Sequence, residues 1–224
     1  LITGASRGIG RATSLLCAQE GAHCILTARS QCALEELDDE VRALGGSATL
    51  VPMDLTDLLA IDRLGAEIFD RYGKLDILIG NAGSLGTLTP VSHIDPAAWE
   101  QTISVNLTAN WRLLRSLDPL LRVTKIAHVI MITSSVAKSG RPYWGAYAAS
   151  KAALENLMQT YALEVKKTGI RVNVLNPGAT KTRMRQEAFP GEDQNKLKSP
   201  EDVADAILKL LISKDKIHNQ CICL

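Results

Sequence analysis

The chain has no run approaching the roughly 20 apolar residues that a membrane-spanning helix needs, which argues against a helical membrane protein. It also lacks an excess of either charge. There are 25 Lys and Arg against 24 Asp and Glu, for a formal net charge of +1. No field of one sign is available to hold nucleic acid or an anionic membrane surface, and neither is expected as a partner. None of the four histidines has a neighbour at metal-ligand spacing, so no metal site is expected. Internal repeats, low-complexity tracts and interdomain linkers are missing too. The five cysteines (Cys17, Cys24, Cys32, Cys221, Cys223) form no C-x-x-C pair. They read as reduced, small apolar side chains in a cytoplasmic protein. No secretory leader is read at Leu1. Leu1-Ile2 runs straight into Thr3-Gly4, so the first strand is expected to begin upstream of the sequence given.

What is present is the composition of one ordinary domain over residues 1–224, with 46% hydrophobic and 22% charged residues. Short β-branched runs alternate with longer segments of helical period. Strands are expected at Leu1–Thr3, His23–Thr27, Ala48–Pro52, Leu75–Ile79, His128–Thr133, Arg171–Asn176 and Asn219–Leu224. Helices are expected at Gly8–Glu20, Cys32–Leu44, Leu58–Tyr72, Ala97–Leu121, Ala146–Lys167 and Pro200–Ile212. Pro200 suits a first helical turn, Ser199 suits its N-cap, and Asp202 stands where a capping-box acid would. Strict strand–helix alternation predicts an α/β fold, a doubly wound parallel sheet of about seven strands with helices on both faces. Ligands of such a sheet lie beyond the carboxyl ends of its strands, where the strand order reverses.

The residues with chemical potential follow strands. Gly4-Ala5-Ser6-Arg7-Gly8-Ile9-Gly10 leads from the first strand into the first helix. Glycine at 4, 8 and 10 allows the backbone to approach a ligand closely, and the helix N-terminus then faces a pyrophosphate. The second strand ends in Thr27-Ala28-Arg29-Ser30, without the acid that would bond the ribose hydroxyls of NAD(H). Arg29 and Arg7 instead suit a 2′-phosphate, which favours NADP(H) over NAD(H). Asp54, in Met53-Asp54-Leu55-Thr56, fits either a contact with adenine or a cap on the helix near Leu58.

Tyr147 and Lys151 stand at i, i+4 on a predicted helix, on one face. A phenol used as an acid/base at pH 7 needs its pKa lowered by roughly 3 units, or ~4 kcal/mol. An ammonium ~5 Å away at an effective dielectric of 20 supplies about 3 kcal/mol of that. Ser134-Ser135 ends an earlier strand, Gly80-Asn81-Ala82-Gly83 ends another, and Asn106 sits in the long helix.

Together, Gly4…Gly8-x-Gly10, Asn81-Ala82-Gly83, Asn106, Ser135, Tyr147-x-x-x-Lys151 and Asn176-Pro177-Gly178 resemble, in type and order, the short-chain dehydrogenases/reductases over the whole chain. The resemblance implies a Rossmann fold, a nicotinamide cofactor, and hydride transfer with a small-molecule carbonyl or secondary alcohol. It implies Tyr147 as proton donor and acceptor, and Lys151 as the group that tunes it and binds the nicotinamide ribose. Ser135 would orient the carbonyl, and Asn106 would hold a water that relays protons through Lys151. Asn81-Ala82-Gly83 would flank the adenosine ribose, and Pro177, Gly178, Thr180 and Thr182 would meet the nicotinamide amide and the phosphates. A homodimer or homotetramer is also implied, with Trp111, Leu114, Leu117, Leu154, Leu157 and Tyr161 fitting either a subunit contact or burial on the sheet. Ser135 lies one residue closer to Tyr147 than in many members, with Ser134 beside it. Retention of both Tyr and Lys argues against the alternative of a non-catalytic dinucleotide-binding sensor or scaffold. Tyr143-Trp144-Gly145-Ala146-Tyr147 and Met184-Arg185 through Ala188-Phe189-Pro190 to Glu192-Asp193, Lys196-Leu197 and Pro200 resemble the YciK-type bacterial branch more narrowly. The polar connection from about Thr182 to Ser199 reads as a lid or as an ordinary surface excursion. Tyr143 and Trp144 fit either a substrate wall or ordinary packing.

Overall fold

The structure, a computed structural model, describes residues 1–224. Seven parallel strands form one sheet: β1 (Ile2–Thr3), β2 (His23–Ala28), β3 (Ser47–Pro52), β4 (Ile77–Gly80), β5 (Ala127–Ile132), β6 (Ile170–Asn176) and β7 (Gln220–Cys223). Their order is β3-β2-β1-β4-β5-β6-β7, a doubly wound Rossmann arrangement. The chain winds outward from β1 to β3, then returns to β4 and winds the other way, so the reversal lies between β1 and β4.

Side-chain alternation explains the two-sided core. All six residues of β5 are buried. Val129 and Met131 join Leu78, Val172 and Val174 on one face of the sheet. Ile130 and Ile132 join Ile79, Leu26 and Leu175 on the other. The first face is covered by α3 (Leu58–Tyr72), α5 (Ala109–Val123) and α6 (Gly145–Glu164), and the second by α1 (Gly8–Gln19), α2 (Gln31–Ala43) and α8 (Pro200–Ile212). No helix is long and apolar enough to cross a membrane.

Ser199 and Asp202 form a reciprocal capping box at α8, which opens on Pro200. At α3 the N-cap is Asp57, which accepts from the Ala60 N–H at 3.0 Å. Asp54 therefore does not cap that helix. Its Oδ1 closes a local turn with the Thr56 N–H and hydroxyl, both at 2.9 Å.

The single helix expected over Ala97–Leu121 is three pieces. After α4 (Pro96–Ile103), a π-helical turn occupies Ser104–Thr108 before α5 begins. The Ala109 N–H reaches back five residues to the Ser104 carbonyl. Apolar periodicity is blind to one extra residue in a turn, so nothing in the pattern announced this bulge. Within the polar connection, Thr182 caps a short helix α7 (Arg183–Ala188), also not foreseen.

Candidate active site

At the strand reversal, Gly4 adopts φ +64, and a Cβ there would lie 2.9 Å from the Ala82 Cα. At Gly10 a Cβ would meet the Gly4 carbonyl oxygen at 2.4 Å. Only glycine lets β1, the turn and α1 pack this closely against the end of β4. The turn is stapled there by Thr3, a residue whose role was not read from the sequence. Its hydroxyl accepts from the Asn81 and Ala82 N–H groups, each at 3.0 Å. The Asn81 amide donates to the Thr3 and Gly4 carbonyls at 2.9 and 3.2 Å. Helix α1 begins at Gly8 without a side-chain cap, so no side chain occupies its first N–H groups, and an anion could use them as a cradle.

Arg7 and Arg29 lie exposed around this cradle, and neither engages a carboxylate within the protein. Asp54, at the end of the neighbouring strand, titrates below its usual range. The Thr56 N–H is the main cause, and the Arg29 charge contributes. Ser6 is half-buried, whereas Ile9 and Leu55 point into the core and offer a ligand only their backbone. Thr182 covers the turn from the other side, its methyl 3.4 Å from where a Gly8 Cβ would be. Pro177 and Thr180 are buried, and the Thr180 hydroxyl turns back to the Pro177 carbonyl at 3.2 Å. The Gly178 N–H bonds the Asn176 side chain at 3.1 Å.

Tyr147 and Lys151 lie one turn apart at the start of α6, both almost fully buried. The Lys151 Nζ donates to the Ile132 carbonyl at 2.7 Å and sits 5.8 Å from the centre of the Tyr147 ring. Gly83 closes the same space: a Cβ there would lie 3.5 Å from the Asn106 Oδ1 and 3.7 Å from the Lys151 Nζ. Burial pushes the Tyr147 phenol up to about 12, and a hydrogen bond with Ser134 pulls the other way. Burial draws the Lys151 ammonium down to about 8. In the protein alone the cost of desolvation on the phenol outweighs the effect of Ser134.

The structure sets Ser134 and Ser135 apart. The serine that meets Tyr147 is Ser134, whose backbone is extended at φ −154 and ψ 154. The chain turns into a 3-10 helix at Ser135, which leaves that side chain exposed.

Asn106 is fully buried inside the π turn. Its Oδ1 accepts from the Ser84 N–H at 2.7 Å, and its Nδ2 donates to the Ser84 carbonyl and the Ser150 hydroxyl at 2.8 and 2.9 Å. Both amide protons are therefore occupied, and a relay water would have only remaining oxygen lone pairs to use. Ser84 and Ser150 carried no chemical signal in the sequence and emerge only as partners of Asn106.

The polar connection folds over the turn that precedes Tyr147. Trp144 meets the Tyr147 ring edge-on at 5.9 Å and the Phe189 ring at 5.6 Å. The Arg185 guanidinium lies 3.9 Å from the Phe189 ring and pairs with both oxygens of Glu192, at 2.6 and 2.5 Å. Trp144 is thus a wall beside the phenol, while Tyr143, at φ +73, is 58% exposed.

Residues 1–193 match the family model of the short chain dehydrogenases. The chain is 38% identical over 216 residues to the uncharacterized oxidoreductase YciK of Escherichia coli K12, covering 94% of this chain and 84% of that protein. The solved structure of that oxidoreductase superposes with a TM-score of 0.95 at 36% identity, covering 99% of this chain and 92% of the other. A short chain dehydrogenase from Escherichia coli CFT073, solved in complex with NADPH, matches equally well: TM-score 0.95, 36% identity, and 99% and 94% coverage.

Proposed function

The chain belongs to the short-chain dehydrogenase family, and on that premise we propose that it is an NADP(H)-dependent oxidoreductase acting on a small carbonyl or secondary-alcohol compound. The observation that carries this reading is the meeting of Tyr147, Lys151 and Ser134 in one buried space beside the glycine-lined strand reversal. The cradle fits the dinucleotide: the uncapped N-terminus of α1 suits the pyrophosphate, and the free Arg7 and Arg29 suit a 2′-phosphate. The solved relative that holds NADPH supports the same choice. When bound, the cofactor supplies or accepts the hydride.

The protein's own groups manage the proton. With its phenol near 12, Tyr147 is protonated at neutral pH and serves as a donor to a carbonyl oxygen without further tuning. Acting as a base at pH 7 would require lowering it by roughly 5 units, ~7 kcal/mol, of which a lysine charge at this range supplies about 3. The same groups take the proton back in the reverse reaction, so the site can serve reduction and oxidation alike. Ser134 orients the carbonyl through its contact with Tyr147. Lys151, near 8, is largely charged at pH 7 and holds positive potential beside the phenol. Asn106 positions the loop after β4 against α6 and leaves oxygen lone pairs for a water on the Lys151 side. We read the protein as a cytoplasmic homo-oligomer, in line with its five unpaired cysteines and with the resemblance.

The test is NADPH consumption over a panel of aldehydes, ketones and quinones, with the alcohol formed in equal amount. On the cofactor, Arg29→Asp should lower the NADPH/NADH ratio of kcat/KM by at least about tenfold, the size of one charge-assisted contact. An unchanged ratio would remove Arg29 from the phosphate site.

A further inference from the structure

The wall beside Tyr147 carries a cation that the proton chemistry does not use. Phe189 is flanked by two guanidinium groups, Arg185 at 3.9 Å and Arg141 at 4.6 Å from its ring centre. The two are not equivalent. Arg185 is neutralised by a two-point pair with Glu192, whose oxygens it occupies. Glu192 also senses the Arg141 charge, but Arg141 has no carboxylate at ion-pair distance and lies exposed. It rests on a second aromatic face as well, 5.2 Å from the Trp144 ring. Steps of 5.2 and 5.9 Å, through Trp144, separate its guanidinium from the Tyr147 ring.

A permanently charged, planar and weakly hydrated group held on two aromatic faces has already lost much of its freedom, so less is lost when it binds an anion. Beneath it lie the planar, apolar rings of Trp144 and Phe189. We infer that the substrate is an anionic, flat carbonyl compound, with its carbonyl at Tyr147, its body along Trp144 and its carboxylate on Arg141. This rests on the reading of Tyr147 as the proton donor, and it adds the substrate class and a specificity-determining residue.

The test compares two substrates of like shape, para-carboxybenzaldehyde and para-tolualdehyde, in NADPH oxidation. The wild type should favour the carboxylate in kcat/KM by about tenfold or more, the size of a charge-assisted bond. Arg141→Gln should bring the ratio close to one, mainly through KM for the carboxylate. Arg141→Glu should reverse it, which a merely structural role would not produce. In parallel, para-(hydroxymethyl)benzoate and para-methylbenzyl alcohol are titrated into the NADP⁺-loaded protein by calorimetry. The same preference and the same loss in Arg141→Gln are expected there without turnover. Absence of turnover alongside preferential carboxylate binding would count against the reaction while supporting Arg141. Equal affinity for the two alcohols, including binding of neither, or a preference that survives Arg141→Glu, would overturn the inference.

Discussion

At Tyr147 two effects oppose each other, and their sizes decide whether the phenol holds its proton at neutral pH. Burial raises the phenol further than Ser134 lowers it, leaving a proton donor. The serine contact yields the sharpest residue-scale prediction: Ser134→Ala should lower kcat by about 10²-fold or more, and Ser135→Ala should change it less than about threefold, measured on the same aldehyde. The reverse ranking would restore Ser135. The clue was already in the sequence, since Ser135 left the interval to Tyr147 one residue short and Ser134 lengthens it by one. What pattern alone did not show was where the extended strand ends and the 3-10 turn begins. Lys151 offers a second prediction. Its folded pKa, about 8, lies below its ordinary 10.5, so the burial penalty is fully present below pH 8 and fades as pH rises toward 10.5. Lys151→Met should therefore raise the thermal midpoint at pH 7, by up to ~3 kcal/mol of stability, with the gain shrinking by pH 10 and turnover lost. A variant less stable than the wild type at pH 7 would contradict the assigned penalty.

Among the elements, the π turn at Ser104–Thr108 does most to bring the site together. It points the Asn106 side chain at both Ser84 and Ser150, joining the loop after β4 to the helix that carries Tyr147 and Lys151. Asn106→Ala strips the half-buried Ser84 N–H and carbonyl of their partner, while the Ser150 hydroxyl keeps its bond to the Tyr147 carbonyl. It should cost about 2–3 kcal/mol in denaturant unfolding and reduce kcat more than NADPH affinity. Wild-type stability with normal kcat would show that the link is dispensable. Most elements were legible because their ends are marked by local chemistry: Ser199, Pro200 and Asp202 at α8, and the glycines between β1 and α1. The bulge was not, because an i→i−5 bond leaves no compositional mark. Asp57 and Asp54 show a related limit, since two acids stand near one helix start and only geometry separates the cap from the turn.

For the whole molecule, the alternation of strands and helices was enough to foretell a doubly wound parallel sheet, and the strand order places the reversal between β1 and β4. The site was legible to the same extent: residues that follow strand ends converge, whatever their separation along the chain. Contacts made by main-chain groups were not legible, such as the Ile132 carbonyl under Lys151. The surface for self-association was legible least. Of the six apolar positions on α5 and α6 that fitted either role, Leu114, Leu117, Leu154 and Tyr161 are buried within the subunit, while Trp111 remains 43% exposed. The whole arrangement narrows to one phenol, and Tyr147→Phe tests it most directly. NADPH binding is followed by fluorescence titration, and hydride transfer by single-turnover NADPH oxidation on a carbonyl substrate that the wild type reduces. The variant should bind NADPH within about threefold of the wild type and oxidise it at least about 10³-fold more slowly. NADPH oxidation at the wild-type rate would contradict the role of Tyr147 as the proton donor.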